Sequence, residues 1–318
     1  MTDPTRTALL FDVDTGIDDA LAILLALGSP GVETVGIGTV AGNVDVDKGT
    51  MNTLRVLEVA GRMDIPVYRG CERPLIQRLY DASDVHGDDG MGNSGLPIPV
   101  TAASTIHAVD NMIRVARERP GEITLVALGP LTNVAMALRL EPRLPSLIRR
   151  LVIMGGAYAH PGNMSGLAEF NIWVDPDAAK AVFESEFDTT VVPLDATMQV
   201  LLTEDHLKSV GDGVLARFAR SITREYMDLY EKRRGVRASA MHDPLATAIA
   251  IDPSVVLDGQ KLPVTVEVDG TWTRGMTIAD RRPGAPRDNA PIGRALVCFK
   301  PDAARFFDML LAGIARPV

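Results

Sequence analysis

The stretch from Thr7 to Gly28 constrains the fold more than any other part of the chain. Ala8 to Phe11 is an apolar run long enough for one buried strand. Asp12, Asp14, Asp18 and Asp19 follow within eight residues, with Gly16 between the pairs. Gly16 is expected to serve a tight turn whose φ other residues resist. From Asp18 the pattern turns helical and runs through an apolar stretch to Gly28. Aspartates suit a helix start, where they accept from free N–H groups and complement the dipole. Strand, acidic turn and helix in this order put carboxylates at the carboxyl end of a strand. Open α/β sheets bind their ligands there.

Four carboxylates this close repel one another. A hard cation is the simplest compensation, and an all-oxygen set selects calcium or magnesium. The plain alternative is a solvated acidic turn that caps a helix. Four aspartates directly after a buried strand argue against it.

The rest of the chain alternates strands and helices. Expected strands cover 32–40, 65–68, 123–128, 151–154 and 189–194, with tail strands near 262–268, 273–279 and 295–299. Expected helices cover 46–60, 107–119, a stretch ending at 140, 175–184, 203–233 with a break near 211–213, 242–251 and 302–314. This is an α/β pattern: a Rossmann-like open, mainly parallel sheet flanked by helices on both faces. No repeat, low-complexity linker or composition shift divides the chain, so residues 1–318 are expected to form a single domain. Residues 71–104 are irregular and rich in Gly, Pro and Asp, and that length marks a functional or mobile segment.

Charge and cysteine content narrow the partners. A net charge of −9 argues against nucleic acid, which needs a basic face. No run approaches the 18 or so apolar residues of a membrane span, and acidic residues break the first apolar run before it can serve as a signal peptide. Two distant cysteines, Cys71 and Cys298, make no disulfide framework. They read as small buried hydrophobes in a reducing, cytoplasmic compartment.

In a parallel sheet the carboxyl ends of the strands share one edge, so distant residues converge there. Asp14 and Asp19 follow the first strand and Asn43 the second. Leu128 ends the middle strand and Met154 the next. Asn163, Glu169 and Asn171 lie in the loop after it, and His242-Asp243 come later. Glu169 and Asn171 would point the same way from an extended segment. Tyr226 and Tyr230 sit at helical spacing. The run Glu231-Lys232-Arg233-Arg234 reads as a solvated helix end, and Arg281-Arg282 as surface.

These residues carry a resemblance. Asp12-Val-Asp14-Thr-Gly-Ile-Asp18-Asp19-Ala resembles the aspartate cluster of the inosine–uridine nucleoside hydrolase family, D-x-D-P-G-x-D-D-A. Gly129-Pro-Leu-Thr-Asn133, Ile153-Met-Gly-Gly156, Glu169-Phe-Asn171-Ile-Trp-Val-Asp-Pro176, His242-Asp-Pro244 and Thr273-Arg-Gly-Met-Thr277 match in the family's order. Thr15 stands where the family usually has proline, which loosens the turn but removes no ligand.

The resemblance implies hydrolysis of the N-glycosidic bond of purine or pyrimidine ribonucleosides, giving ribose and free base. It implies one Ca²⁺ held by Asp14, Asp19, Asp243 and the main-chain carbonyl of Leu128. Asp14 would also be the base that takes a proton from an activated water. Asp18, Asn43, Met154, Asn163, Glu169 and Asn171 would bind the ribose. His86, Tyr230 and His242 would face the base, with His242 as the proton donor to the leaving group. A homo-oligomer, dimer or tetramer, is implied as well.

Two alternatives belong to other classes. Phe11-Asp-Val-Asp-Thr15 also has the look of a haloacid-dehalogenase-type phosphatase. That family expects Gly and Thr in the other order after the second Asp, and a late acidic Mg²⁺-binding pair, neither of which is evident. A non-catalytic nucleoside-binding protein is the other, and the intact catalytic set argues against it.

Overall fold

The computed structural model describes residues 6–282 and 293–316. In chain order, β1 (Thr7–Val13) leads into α1 (Ile17–Gly28), β2 (Val32–Thr39), α2 (Val46–Val59) and β3 (Val67–Arg69). The short α3 (Ser83–His86) lies within the long connection to α4 (Ala108–Glu118). Next come β4 (Ile123–Ala127), α5 (Thr132–Leu140), α6 (Leu144–Leu147) and β5 (Arg150–Met154). They are followed by α7 (Phe170–Val174), α8 (Pro176–Phe183), β6 (Thr189–Val192) and α9 (Leu194–Thr197). The strands β7 (Leu201–Thr203) and β8 (Ala238–Ala240) bracket α10 (Glu204–Ser209) and α11 (Val214–Arg234). The tail holds α12 (His242–Ile251), β9 (Val256–Val266), β10 (Thr277–Ala279), β11 (Gly293–Pro301) and α13 (Ala303–Ala315).

The main sheet has nine strands in the order β10-β9-β11-β6-β5-β4-β1-β2-β3. From β3 to β11 every neighbouring pair is parallel, and β9 alone runs against its neighbours β11 and β10. The mainly parallel α/β reading therefore holds. β1 lies inside the sheet, with Phe11 opposite Ile37 on one side and Val126 on the other. A strand covered on both faces needs an unbroken apolar run, which Ala8–Phe11 supplies.

Two cores flank the sheet. One contains α1, α11, α12 and α13; the other contains α4, α5 and α8. Residues Ile17 to Leu27 of α1 are all buried, so this helix is apolar all round rather than amphipathic. Truncating Leu25 to alanine there is expected to cost about 2–5 kcal/mol. α13 closes over α1 at a glycine pair: a Cβ on Gly28 would lie 2.4 Å from the Cα of Gly313.

Several expectations change. Residues 273–279 contribute a strand only from Thr277, and the strand expected at 262–268 starts at Val256. The pair β7–β8 and the helix α7 were absent from the sequence reading. The break near Gly211–Gly213 is real and separates α10 from α11. Cys298 is buried and Cys71 half-buried, and burial pushes both thiols up to about 12, away from the thiolate form. Among the described residues no helix is long and apolar enough to cross a membrane.

Candidate active site at the carboxyl edge of the sheet

β1 delivers Asp14 just past its carboxyl end, and the first turn of α1 delivers Asp18 and Asp19. Asp243 enters from the first turn of α12. All four are buried. Carboxylate oxygens of Asp18, Asp19 and Asp243 lie within 4.8 Å of one another. Burial pushes all four carboxyls upward, Asp18 to about 7, and repulsion among neighbours adds to this for Asp14, Asp18 and Asp243. One oxygen each of Asp14, Asp18 and Asp19 has no hydrogen-bond partner. Buried anionic oxygens without donors are costly, and a divalent cation is the group that satisfies several at once. The residues present therefore fit a hard cation.

The remaining oxygens are held firmly. Asp14 Oδ2 accepts from the Asn43 main-chain N–H at 2.7 Å. Asp19 Oδ2 accepts from Gly16 N–H at 2.9 Å and from Asn43 Nδ2 at 3.3 Å. The Gly16 expectation needs correction, because its φ is −99°, open to any residue. Glycine is required for space: a Cβ would lie 2.5 Å from His86 Nδ1 and 3.0 Å from Asn43 Nδ2. Thr15, in the place of proline, is pinned by its side chain, since its hydroxyl meets that of Thr53 at 2.6 Å.

Above the acid floor opens a cleft of about 450 Å³. Asp18, Asn43, His86, Leu128, Met154, Asn163, Glu169, Asn171, Tyr230, His242 and Asp243 all line it, with Asp14 and Asp19 beneath. Leu128 and Met154 arrive at the ends of β4 and β5. Asn171 binds these ends together, its amide donating to Leu128 O at 2.6 Å and Met154 O at 3.3 Å. A carbonyl has two lone pairs, so Leu128 O keeps one for a ligand.

The extended segment expected around Glu169 and Asn171 is not there. Glu169 caps α7, and Asn171 is in its first turn. The Glu169 carboxylate accepts main-chain N–H groups from Asn171, Ile172 and Gly156 at 3.0, 3.2 and 3.1 Å. Even so, burial lifts it to about 7. Asn163 sits at the exposed mouth, where Oδ1 accepts from Phe170 N–H at 2.9 Å.

The other end of the cleft is aromatic and histidine-rich. His86 is 6% exposed, so the loop around it is packed rather than loose. His242 Nδ1 meets Thr197 Oγ1 at 2.7 Å. Burial pushes both histidines down to about 4, so both rings are neutral at pH 7. Tyr226 lies against His86 at 5.9 Å and against Tyr230 at 6.5 Å, between ring centroids. Glu231 to Arg234 are exposed at the end of α11, as their sequence suggests, and Arg233 and Arg234 also line the cleft mouth. Arg233 pairs with Asp84 at 3.2 Å, and the Arg234 guanidinium lies 5.2 Å over the Tyr230 ring. Arg281 and Arg282 are exposed, as their sequence suggests.

Thr197, Asp84, Met198 and the two arginines were missed by sequence reasoning. The arginines had a usable signal: they follow Tyr226 and Tyr230 at helical spacing, so one helix face carries all of them.

A mainly parallel sheet with a cleft over buried, partly unpartnered carboxylates at its carboxyl edge is the architecture of an α/β enzyme. Its family is specific. The model of the inosine-uridine preferring nucleoside hydrolases matches residues 9–308, and the chain belongs to that family. It is 40% identical over 312 residues to the inosine-uridine preferring nucleoside hydrolase of Crithidia fasciculata, covering 97% of each chain. Its fold is similar to a plant nucleoside hydrolase, PpNRh1, with TM-score 0.93 and 34% identity over 99% of this chain and 100% of that one. The purine-preferring ribonucleoside hydrolase of Gardnerella vaginalis gives 0.89 and 35%, covering 97% and 98%.

Proposed function

We propose that the chain is a Ca²⁺-dependent ribonucleoside hydrolase that cleaves the bond between C1′ of ribose and the nitrogen of a purine or pyrimidine base. The observation that carries this reading is the set of partnerless oxygens on buried Asp14, Asp18 and Asp19 at the foot of a nucleoside-sized cleft. Asp14, Asp19, Asp243 and the Leu128 carbonyl would hold the ion. When bound, calcium neutralises the carboxylates, acidifies a water molecule and polarises sugar hydroxyls.

The chain's own groups do the rest. Asp14 is fixed through Oδ2 by Asn43, which leaves Oδ1 to take the proton of the attacking water. The water oxygen bonds to C1′ as the bond to the base nitrogen breaks. Asp18 and Asn43 engage the secondary hydroxyls of ribose. Asn163 and Glu169 face its other end, while Met154 and Asn171 pack beneath the ring. His242 is neutral, so its part is not that of a stored proton. In the tautomer in which Thr197 donates to Nδ1, the ring proton sits on Nε2, where it would stabilise charge building on the departing base. Tyr226 and Tyr230 cover the base. The net charge of −9 suits a small neutral ligand rather than nucleic acid. A cytoplasmic homo-oligomer acting in nucleoside catabolism and salvage remains part of this reading through the family resemblance.

The test is a panel of purine and pyrimidine ribonucleosides read by reducing-sugar release, with 4-nitrophenyl phosphate as control. Ribose release that stops on chelation and returns with Ca²⁺ supports the reading. Phosphate release alone, or full turnover in metal-free protein, overturns it. His242→Ala should slow inosine about 10²–10³-fold, the loss expected for one donor aimed at developing charge, and barely affect a 4-nitrophenyl riboside. Equal losses would make His242 structural.

A further inference from the structure

Segment 82–92 lines the aromatic side of the cleft, next to the turn that carries the acid floor. Two straps join them. The Ile17 main-chain N–H, first in α1, donates to His86 Nδ1 at 3.2 Å. Asn52 Nδ2, from α2, donates both to Thr15 O at 3.1 Å and to Asp89 O at 2.9 Å. The segment is itself braced: His86 N–H donates to Ala82 O, His86 O accepts from Gly92 N–H at 2.7 Å, and Ala82 N–H donates to Asn43 O at 2.9 Å.

The first strap explains Gly16. A helix leaves its first N–H groups without internal partners, and an N-cap side chain serves those of the second and third residues rather than that of the first, here Ile17. Gly16 has no side chain, and any Cβ there would press on His86 Nδ1. The acceptor comes instead from a ring 69 positions away in sequence.

We propose that His86 is a positioning residue whose Nδ1 caps α1 and so fastens the base end of the cleft to the backbone that presents Asp18 and Asp19. An Nδ1 that accepts carries no proton, so the ring is held as the Nε2–H tautomer. Protonating Nδ1 would break the cap, and His86 is therefore not the acid for the leaving base. The link runs both ways: a ligand that orders segment 82–92 raises cation affinity by the factor by which the cation raises ligand affinity. The cation half of this statement rests on the proposed function; the cap does not.

The experiment measures hydrogen exchange across residues 12–20 of the full-length, metal-free protein, and Ca²⁺ affinity by calorimetry. Asn places its amide oxygen near the position of Nδ1, whereas Gln reaches the position of Nε2. His86→Ala and His86→Gln should speed exchange at Ile17 about tenfold or more, the loss of one buried main-chain bond, and weaken Ca²⁺ about tenfold. His86→Asn should stay near the native values. Gly16→Ala should mimic His86→Ala by displacing the ring, and should add little in the His86→Ala background. This second route covers the case in which a His86 variant fails to fold. Unchanged exchange in His86→Ala and His86→Gln, an Asn variant as loose as Ala, or full additivity with Gly16→Ala would overturn the proposal. Altered exchange in a protein that binds no Ca²⁺ would leave the cap standing and remove the cation reading instead.

Discussion

Two buried carboxylate sites sit at opposite edges of the same sheet, and the chain treats them in opposite ways. Glu141, after α5, has a side chain only 3% exposed. Arg143 and Arg117 fork over it at 3.0 and 2.6 Å and hold its carboxyl down to about 2. At the carboxyl edge, Asp14, Asp18, Asp19 and Asp243 are buried together, and their carboxyls rise. Neither arginine nor lysine is among their hydrogen-bond partners or the causes of their shifts. One site carries its cations in the sequence. The other leaves one oxygen each of Asp14, Asp18 and Asp19 unpaired and draws on no cation of the chain, an arrangement that fits the proposed metal site better than a structural ion pair.

The comparison can be broken at four points. Removing metal should take ribose release to background while leaving the Glu141 pair unaffected; restored turnover on adding Ca²⁺ checks it. Asp243→Asn should lower kcat/KM about 10²–10⁴-fold, whereas Glu141→Gln should leave it unchanged. Equal losses would erase the distinction between the two edges. Third, the sites should respond to pH with opposite sign. The aspartates ionise near pH 4 when unfolded but hold protons to higher pH when folded, Asp18 to about 7. The metal-free fold therefore binds more protons than the unfolded chain in this window. Its urea midpoint should fall between about pH 4 and 7, and Ca²⁺ should flatten the fall. Glu141, held down, contributes stability that is present above its unfolded value and lost as pH drops toward about 2. Smallest of all, Glu141→Gln should shift Tm by about 2 °C or less, because both arginines remain largely solvated.

The acid edge was legible in the sequence because its logic is local. A buried strand, an acidic turn and an apolar helix are consecutive, and alternation fixes where they meet the next strand. Elements whose partners are remote were not legible. β7 finds β8 only after α10 and α11 have intervened. Helix α7 depends on Glu169 accepting N–H groups of its first turn, so the Glu–x–Asn spacing was read as an extended loop segment. Gly16 was assigned to a φ requirement when its cause is His86, and no local signal carries that. His242 gave no sign of Thr197, which is buried on α9, 45 positions earlier.

The glycine contact between α13 and α1 bears on how the chain is made. Translation delivers β1 and α1 first, and α1 is apolar on every side. Part of its surface is covered by α13, which closes on it at Gly28 and Gly313. Every carboxylate of the acid floor precedes α13, so a chain stopped short of Ala303 would carry all four and still leave part of an apolar helix uncovered. Such a product is a substrate for chaperones and proteases despite its full set of acid-floor carboxylates. Docking of α13, rather than assembly of the acid floor, is the step that completes the cover over α1.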